Sequence, residues 1–393
     1  MQKYSVGIDI SRSSFHVCIS VLQEDQHIKV IASTRFSNEE AGFKLLVAWV
    51  EKHYKQKELP LVIVMEATGV YYERCALYLH RAGYYVSVIL PNVAKKYLQS
   101  IGQKSKNDKI DARGLARMGA ERKHQKWEPL DDFFYTLRSY TRQNEDLQQT
   151  RTVVNNQLHA LGYQSHGNEL VKSQLEEVIS LIDQQIKIIS KAIETHIESD
   201  ADVNAKVEGI LKIKGIGVLT VAVIIAETNG FALFKNIPQL VSYAGYDVVE
   251  NQSGKHEGKT KISKKGNAHI RRALHMPALK AGHCEGSVFY NLRKRIVERT
   301  KIKMKGNVAV QKKLLVMIYT LWKTNQAFSE TYLQKNDLQT EEQEQAPPFR
   351  VSPGRAVMAM QPLKKVAPGR PKLHKVNKPI EQSQSAPSRV LQS

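Results

Sequence analysis

The spacing of apolar and polar positions changes character once along the chain, near residue 130. Before it the apolar runs are short. Tyr4–Ile10 alternates and is rich in β-formers, and Ser14–Leu22 and Ile28–Thr34 predict two further strands with a turn at Glu24–Gln26. Residues 38–54 predict an amphipathic helix capped by Ser37 or Asn38. Leu61–Met65 is a continuous apolar run, the pattern of a strand buried on both faces. A helix over 71–82 ends at Gly83, and a strand over 85–90 is punctuated by Pro91. Three strands, then helix, strand, helix and strand, make a mixed α/β sheet with helices on its faces, in the order of the ribonuclease-H-like arrangement.

After residue 130 the period is helical. Leu137, Tyr140, Asn144, Leu147, Arg151, Val154, Leu158 and Leu161 recur at threes and fours, and residues 162–168 read as a loop. A second long helix carries Leu175, Ile179, Ile182, Ile186, Ile189 and Ile193 on one stripe. The pair predicts an antiparallel coiled-coil hairpin, with a plain helical linker as the equal alternative. Asn144 and Arg151 interrupt the first stripe and suit a contact with another subunit. Next, an apolar helix, Gly215-Ile216-Gly217 and a second apolar helix resemble a helix–hairpin–helix element, whose glycines let backbone amides approach a DNA phosphate. Phe234 and Tyr243 read as core or turn packing, and helices follow over 269–282, 288–299 and 308–323. From Gln345 onward there are eight of the 13 prolines, nine Lys or Arg and one acid, Glu381, which predicts a disordered basic tail. Within it Pro368-Gly369-Arg370-Pro371-Lys372 looks like the minor-groove core of an AT-hook. The expected division is 1–130, 131–205, 206–332 and a tail over 333–393.

Charge narrows the class of partner. Lys and Arg number 58 against 38 Asp and Glu, a net charge of +20. Such a balance favours a polyanion, nucleic acid first; an acidic membrane surface is second and lacks an amphipathic anchor. Cys18, Cys75 and Cys284 have no paired spacing, which argues against a disulfide framework and a structural zinc site. With no signal segment and no apolar run of spanning length, the expectation is a bacterial-type cytoplasmic protein with no membrane partner.

The chemistry resides in four acids and a serine. Asp9 ends the first strand, Glu66 lies just past the fourth, and Asp108 and Asp111, three apart, share one face of a helix for which Asn107 is the cap. Each acid alone suits a turn or a helix start. Together they would repel one another unless a divalent ion sat among them, and oxygen ligands favour Mg²⁺ or Mn²⁺. Glu73 reads as an exposed residue of its helix. Ser253, between Gln252 and Gly254, is followed by Lys255, Lys259, Lys261, Lys264 and Lys265, and Arg271 and Arg272 open the next helix. Cations beside one hydroxyl suit a phosphodiester that the hydroxyl attacks; an ordinary Ser-Gly turn on a basic surface is the plain alternative.

Asp9, Glu66-Ala-Thr-Gly, Asn107-Asp-Lys-Ile-Asp-Ala, Gly215-Ile216-Gly217, Tyr243-Ala244-Gly245 and Gln252-Ser253-Gly254 together resemble the DEDD transposases of the bacterial insertion sequence 110 family and their relatives, the Piv/MooV DNA invertases. The resemblance covers about residues 4–325. It implies a ribonuclease-H-like, RuvC-like domain, a coiled coil, an all-α transposase domain holding the serine, and a homo-dimer or tetramer in which acids of one subunit meet the serine of another. It also implies donor and target DNA as substrates and, in the insertion-sequence branch, a structured bridge RNA. The sequence departs from the family at Tyr246-Asp-Val-Val, where a Leu and a Pro are more usual, and in its tail. The expected function is a transposase or site-specific recombinase acting through a Ser253 phosphoserine. The alternatives are a Piv-type invertase, a metal-dependent nuclease or junction resolvase using water, and a nucleic-acid-binding protein with a degenerate site.

Overall fold

A computed structural model describes residues 3–103, 107–165, 167–249, 252–253, 256–258 and 261–329. Residues Met1–Gln334 form one compact unit. The tail expected from residue 333 lies outside the described residues, as do Gly254, Lys255 and Lys259.

The first region opens with β1 (Lys3–Ile10), β2 (Ser14–Leu22), β3 (Ile28–Ser37) and α1 (Glu40–His53). It continues through β4 (Leu61–Glu66), α2 (Glu73–Arg81), β5 (Val86–Ile89), α3 (Pro91–Ser100) and α4 (Asp108–Glu121). The five strands form one sheet in the order β3-β2-β1-β4-β5. β1 pairs antiparallel with β2 and parallel with β4, and β4 pairs parallel with β5. This is the mixed ribonuclease-H-like order read from the sequence. Its core gathers Val6, Ile8, Phe15, Val17, Ile63 and Met65 beneath Phe43, Leu46 and Leu79 of α1 and α2.

Three local readings differ. α1 begins later than expected, with Glu39 at its N-cap and no side-chain capping bond. Asn38 instead donates through Nδ2 to Ser11 O at 3.0 Å and Tyr71 O at 3.1 Å, tying two loops together. Pro91 does more than end a strand. Lacking an N–H that would be orphaned there, it starts α3 as the first helical residue.

Two thirty-residue helices follow, α5 (Asp132–Leu161) and α6 (Glu169–Glu198), packed along each other. The polar breaks in the α5 stripe are matched within the pair. Ser190 Oγ accepts from Asn144 Nδ2 at 3.1 Å, and Asp183 accepts from Arg151 Nε at 2.5 Å. The rest is α7 (Ala201–Leu211), α8 (Val218–Thr228), α9 (Ile237–Tyr243), the two-residue strands β6 (Val248–Val249), β7 (Gln252–Ser253), β8 (His256–Glu257) and β9 (Lys261–Ile262), then α10 (Ala268–Ala273), α11 (His275–His283), α12 (Val288–Thr300) and α13 (Lys303–Thr324). A second core, centred on Ile210, Ile224, Phe231, Leu240, Leu314 and Ile318, holds these helices together. Among the described residues no helix is long and apolar enough to cross a membrane.

Candidate active site

The sheet brings the acids to one end and one face. A Cβ on Gly7 would overlap Ala112 O and Ala116 N, and one on Gly119 would overlap Ser5 Oγ. β1 therefore turns Ser5 and Gly7 towards α4, which lies against it with no room for a side chain at residue 7. Val64 of β4 faces the same way, 2.7 Å from that Gly119 position. Strands alternate sides, so Asp9 and Glu66, each two residues further on, emerge on the α4 face. Parallel pairing sets Ile8 beside Met65, which brings the two acids level at adjacent strand ends.

α4 delivers the other pair. Asn107 caps it by accepting from Ile110 N at 2.9 Å, as expected. Asp108 and Asp111 occupy its first turn, where the helix dipole favours carboxylates. Ala112 sits on Gly7, so the turn before it overhangs the end of β1. His16, opposite Asp9 in the β1–β2 register, places Nδ1 3.5 Å from Asp108 Oδ2. Asp9, Glu66 and Asp111 are half-buried and Asp108 is exposed. Among the described residues no three His, Cys, Asp or Glu side chains converge closely enough to form a ready-made metal cluster. The donor set, carboxylates alone on one face, fits a hard divalent ion in its chemistry.

Glu73, expected to be exposed, is engaged. It accepts from Tyr135 Oη at 3.0 Å and lies 3.6 Å from Arg138 Nη2, so α2 meets α5 through it.

Ser253 ends β7 and faces His256 of β8 in an antiparallel pair, with Gln252 opposite Glu257. Below, β6 and β9 pair Val248 with Ile262 and Val249 with Lys261. The serine is thus carried on a narrow two-tier ribbon rather than in a bare turn. Lys261, Lys264 and Lys265 are exposed around its base. Gly215, with φ at +95°, and Gly217, the N-cap of α8, form the turn of the expected hairpin between α7 and α8.

The two arginines are engaged with protein. Arg271 Nη1 donates to Ala244 O at 2.9 Å and to Gly266 O and Asn267 O at 3.1 Å, gathering both ends of the ribbon. Arg272 pairs with Glu145 of α5, which also meets His269 Nδ1 at 2.6 Å.

Beneath the ribbon lies a buried carboxylate that the sequence reading passed over. Glu227 of α8 is 3% exposed. It accepts from Arg142 Nε at 2.8 Å and Nη2 at 3.0 Å, and from Asn267 Nδ2 at 2.7 Å. Its own carbonyl accepts from Tyr243 Oη at 3.0 Å. Burial pushes the carboxyl up, but hydrogen bonds and charge from Arg142, with help from Asn267, more than offset that and hold it below its ordinary range. The available signal was one acid in the otherwise apolar run Val218–Ala226.

Against known proteins, residues 6–162 match the DEDD transposase family of insertion sequence IS110, described as "Transposase". Residues 207–292 match the "Transposase IS116/IS110/IS902 family". The chain is 28% identical over 330 residues to the pilin gene-inverting proteins of Moraxella bovis and Moraxella lacunata, covering 84% of this chain and 98% of each of theirs. Among solved structures it is similar to Thermus thermophilus RuvC (13% identity, 30% of this chain and 93% of that one, TM-score 0.24). Another is the fowlpox virus Holliday junction resolvase (12% identity, 30% and 97%, TM-score 0.23). The two family matches together span more than half of the sequence, and the chain belongs to the IS110 family of transposases, enzymes of DNA recombination.

Proposed function

We propose that this protein cuts and rejoins DNA through a phosphoserine at Ser253, with the four acids serving the same phosphate. The observation that carries the reading is the pairing of two features in one chain: carboxylates gathered at one sheet end, and a serine set on a ribbon with exposed lysines at its base. In the first step the Ser253 hydroxyl loses its proton to solvent or a nearby base and its oxygen attacks phosphorus. The serine O–P bond forms, the bond from phosphorus to one bridging oxygen of the DNA breaks, and that oxygen leaves with a proton as a free strand end. In the second step a free hydroxyl of another strand attacks the same phosphorus and serine leaves, so the bond is conserved without an external energy source. Asp9, Glu66, Asp108 and Asp111 would hold Mg²⁺ or Mn²⁺, which when bound supplies charge stabilisation at the phosphoryl oxygens. Lys261, Lys264 and Lys265, with Lys255 and Lys259 of the same segment, would hold phosphates on either side, and the Gly215–Gly217 turn a phosphate further along the duplex.

Trapping decides it. The full chain mixed with DNA carrying its sites, then denatured, should retain a covalent DNA adduct that maps to Ser253. Metal-dependent cleavage without adduct would instead favour a resolvase that uses water.

The reading extends to α5 and α6 as a coiled coil that helps assemble a dimer or tetramer, and to a bridge RNA that pairs donor and target. Recombination by nuclease-treated, RNA-free protein would overturn the RNA part. One observation favours a second reading: the inverting proteins align over almost their whole length. A plasmid with two inverted sites separates the readings, because an invertase flips the segment between them and a transposase joins an element to a new target.

A further inference from the structure

The buried knot below the ribbon has a geometry that ordinary core packing does not need. The ribbon leaves the helical body at Tyr243–Asp247 and returns at Lys261–Asn267, and every strong polar contact there joins one side to the other. Asn267 N donates to Tyr243 O at 2.7 Å, Lys264 N to Gly245 O at 3.1 Å and Ser263 N to Asp247 O at 2.8 Å. Gly266 is pressed so closely on Tyr243 O that a Cβ would overlap it, and Gly245 stands at φ +73°. Arg271 then gathers carbonyls from both sides. The knot reaches outward through Asn267 to Glu227, and through Glu227 to Arg142 of α5.

α5 is where the knot meets the rest of the molecule. Tyr135, Arg138, Arg142 and Glu145 recur at threes and fours and so share one face of the helix. The first two hold Glu73 of α2, whose strand β4 ends in Glu66. The last two hold Glu227 and the α10 pair His269 and Arg272. One helical face therefore touches the region of the acids at one end and the root of the serine ribbon at the other.

We infer that Glu227, gripped by Arg142 and Asn267, is a positioning residue that fixes the root of the Ser253 ribbon to α5. The inference rests on the serine reading above. A carboxylate suits the task because it takes two parallel bonds from a guanidinium and still accepts from the amide that starts α10. Misplacing a nucleophile by about 1 Å costs rate on the order of 10²-fold, while affinity for DNA, set by phosphate contacts elsewhere, hardly changes.

The test uses the full chain and three variants: Glu227→Gln, Asn267→Asp and the double Glu227→Gln/Asn267→Asp. Each single variant places two donors or two carboxylates face to face. The double variant reverses donor and acceptor, because the new amide at 227 donates to the new carboxylate at 267. An aspartate at 267 can still accept from Ile270 N, as Asn267 does. Amide hydrogen exchange across 243–249 and 261–267 reports the root, adduct formation reports chemistry, and DNA titration reports binding. Expected are faster exchange and adduct formation slower by about 10²-fold in both single variants, with recovery of both in the double. DNA affinity should stay within about threefold throughout. Unchanged exchange in the single variants overturns the inference, as does faster exchange with an unchanged adduct rate. A double variant no better than the singles does so too, and decides the matter if a single variant does not fold. Absence of adduct in the unaltered chain sinks the serine reading and the positioning role with it; normal adduct there with indifferent variants sinks the positioning role alone.

Discussion

The acid end and the serine end of this molecule face the same kind of substrate but are built in opposite ways. The acids stand at the margin of a continuous sheet whose rigidity comes from apolar packing, with Gly7 letting α4 lie directly on β1. The serine stands on four strands of two residues each, with Val248 and Val249 exposed, so its ribbon buries little on its own. What holds the ribbon is polar: a guanidinium on three carbonyls and a buried carboxylate beneath. Apolar packing is tolerant of single polar changes and intolerant of added volume. A polar knot is the reverse, because removing one partner strands another in a buried place.

The largest effect should come from the ribbon. Ser253→Ala removes the nucleophile and no cation, so adduct and strand exchange should vanish while DNA affinity stays within about threefold. A gel of denatured reactions checks the first and a binding titration the second. Full recombination by this variant would break the comparison, since the serine end would then carry no chemistry.

At the acid end, Asp9→Ala, Glu66→Ala, Asp108→Ala and Asp111→Ala should each slow strand exchange by about 10²–10³-fold. The same variants should melt no lower than the unaltered chain, because removing one of several like charges relieves repulsion. Calorimetric titration with Mg²⁺ or Mn²⁺ sharpens the assignment. Metal uptake that survives in all four places the ion elsewhere.

How much of this was legible follows from the same contrast. The sheet announced itself because strand burial writes a period into the sequence, and β1 to β5 fall where Tyr4–Ile10, Leu61–Met65 and their neighbours predicted. The acids were legible for a related reason: each marks the end of an apolar run or the start of a capped helix. His16 was not, since only the β1–β2 register sets it opposite Asp9. The knot was hidden further. Arg142 and Glu227 lie 85 residues apart, Glu227 and Asn267 40 apart, and no period links them. The cations after Ser253 looked alike in sequence, yet Arg271 and Arg272 contact protein while Lys261, Lys264 and Lys265 stay exposed. Burial alone separates those roles, and a run of charges carries no trace of it.

Volume should break the acid end without touching its chemistry. Gly7→Ala forces a methyl into the Ala112 and Ala116 backbone, which cannot move as a side-chain tip can, and should cost about 3 kcal/mol of stability. Gly217→Ala, in open space at the start of α8, should cost under about 1 kcal/mol. Urea unfolding of both variants measures the difference. Equal losses would mean that α4 does not lie on β1 as closely as described.

The smallest effect is in the response to acid, and it differs between the two ends. Glu227 is buried and held below its ordinary value of 4.5, burial pushing it up but Arg142 and Asn267 outweighing that. A carboxyl whose pKa is lower folded than unfolded contributes stability that is complete above the unfolded value. That stability is lost as pH falls through the folded value. Each unit of difference contributes about 1.4 kcal/mol. At the acid end Glu121 is likewise held low, burial opposing and Arg117 and Tyr97 outweighing it. Its side chain is 33% exposed, however, and Arg117 is 49% exposed, so water screens the pair and its contribution is smaller. Stability measured by denaturant between about pH 3 and 7 should therefore fall below about pH 4.5 in the unaltered chain. Glu227→Gln should be less stable at neutral pH and lose visibly less on acidification, whereas Glu121→Gln should retain most of the acid response. If Glu121→Gln flattens the curve and Glu227→Gln does not, the stronger polar anchor belongs to the acid end and the contrast between the two regions is reversed.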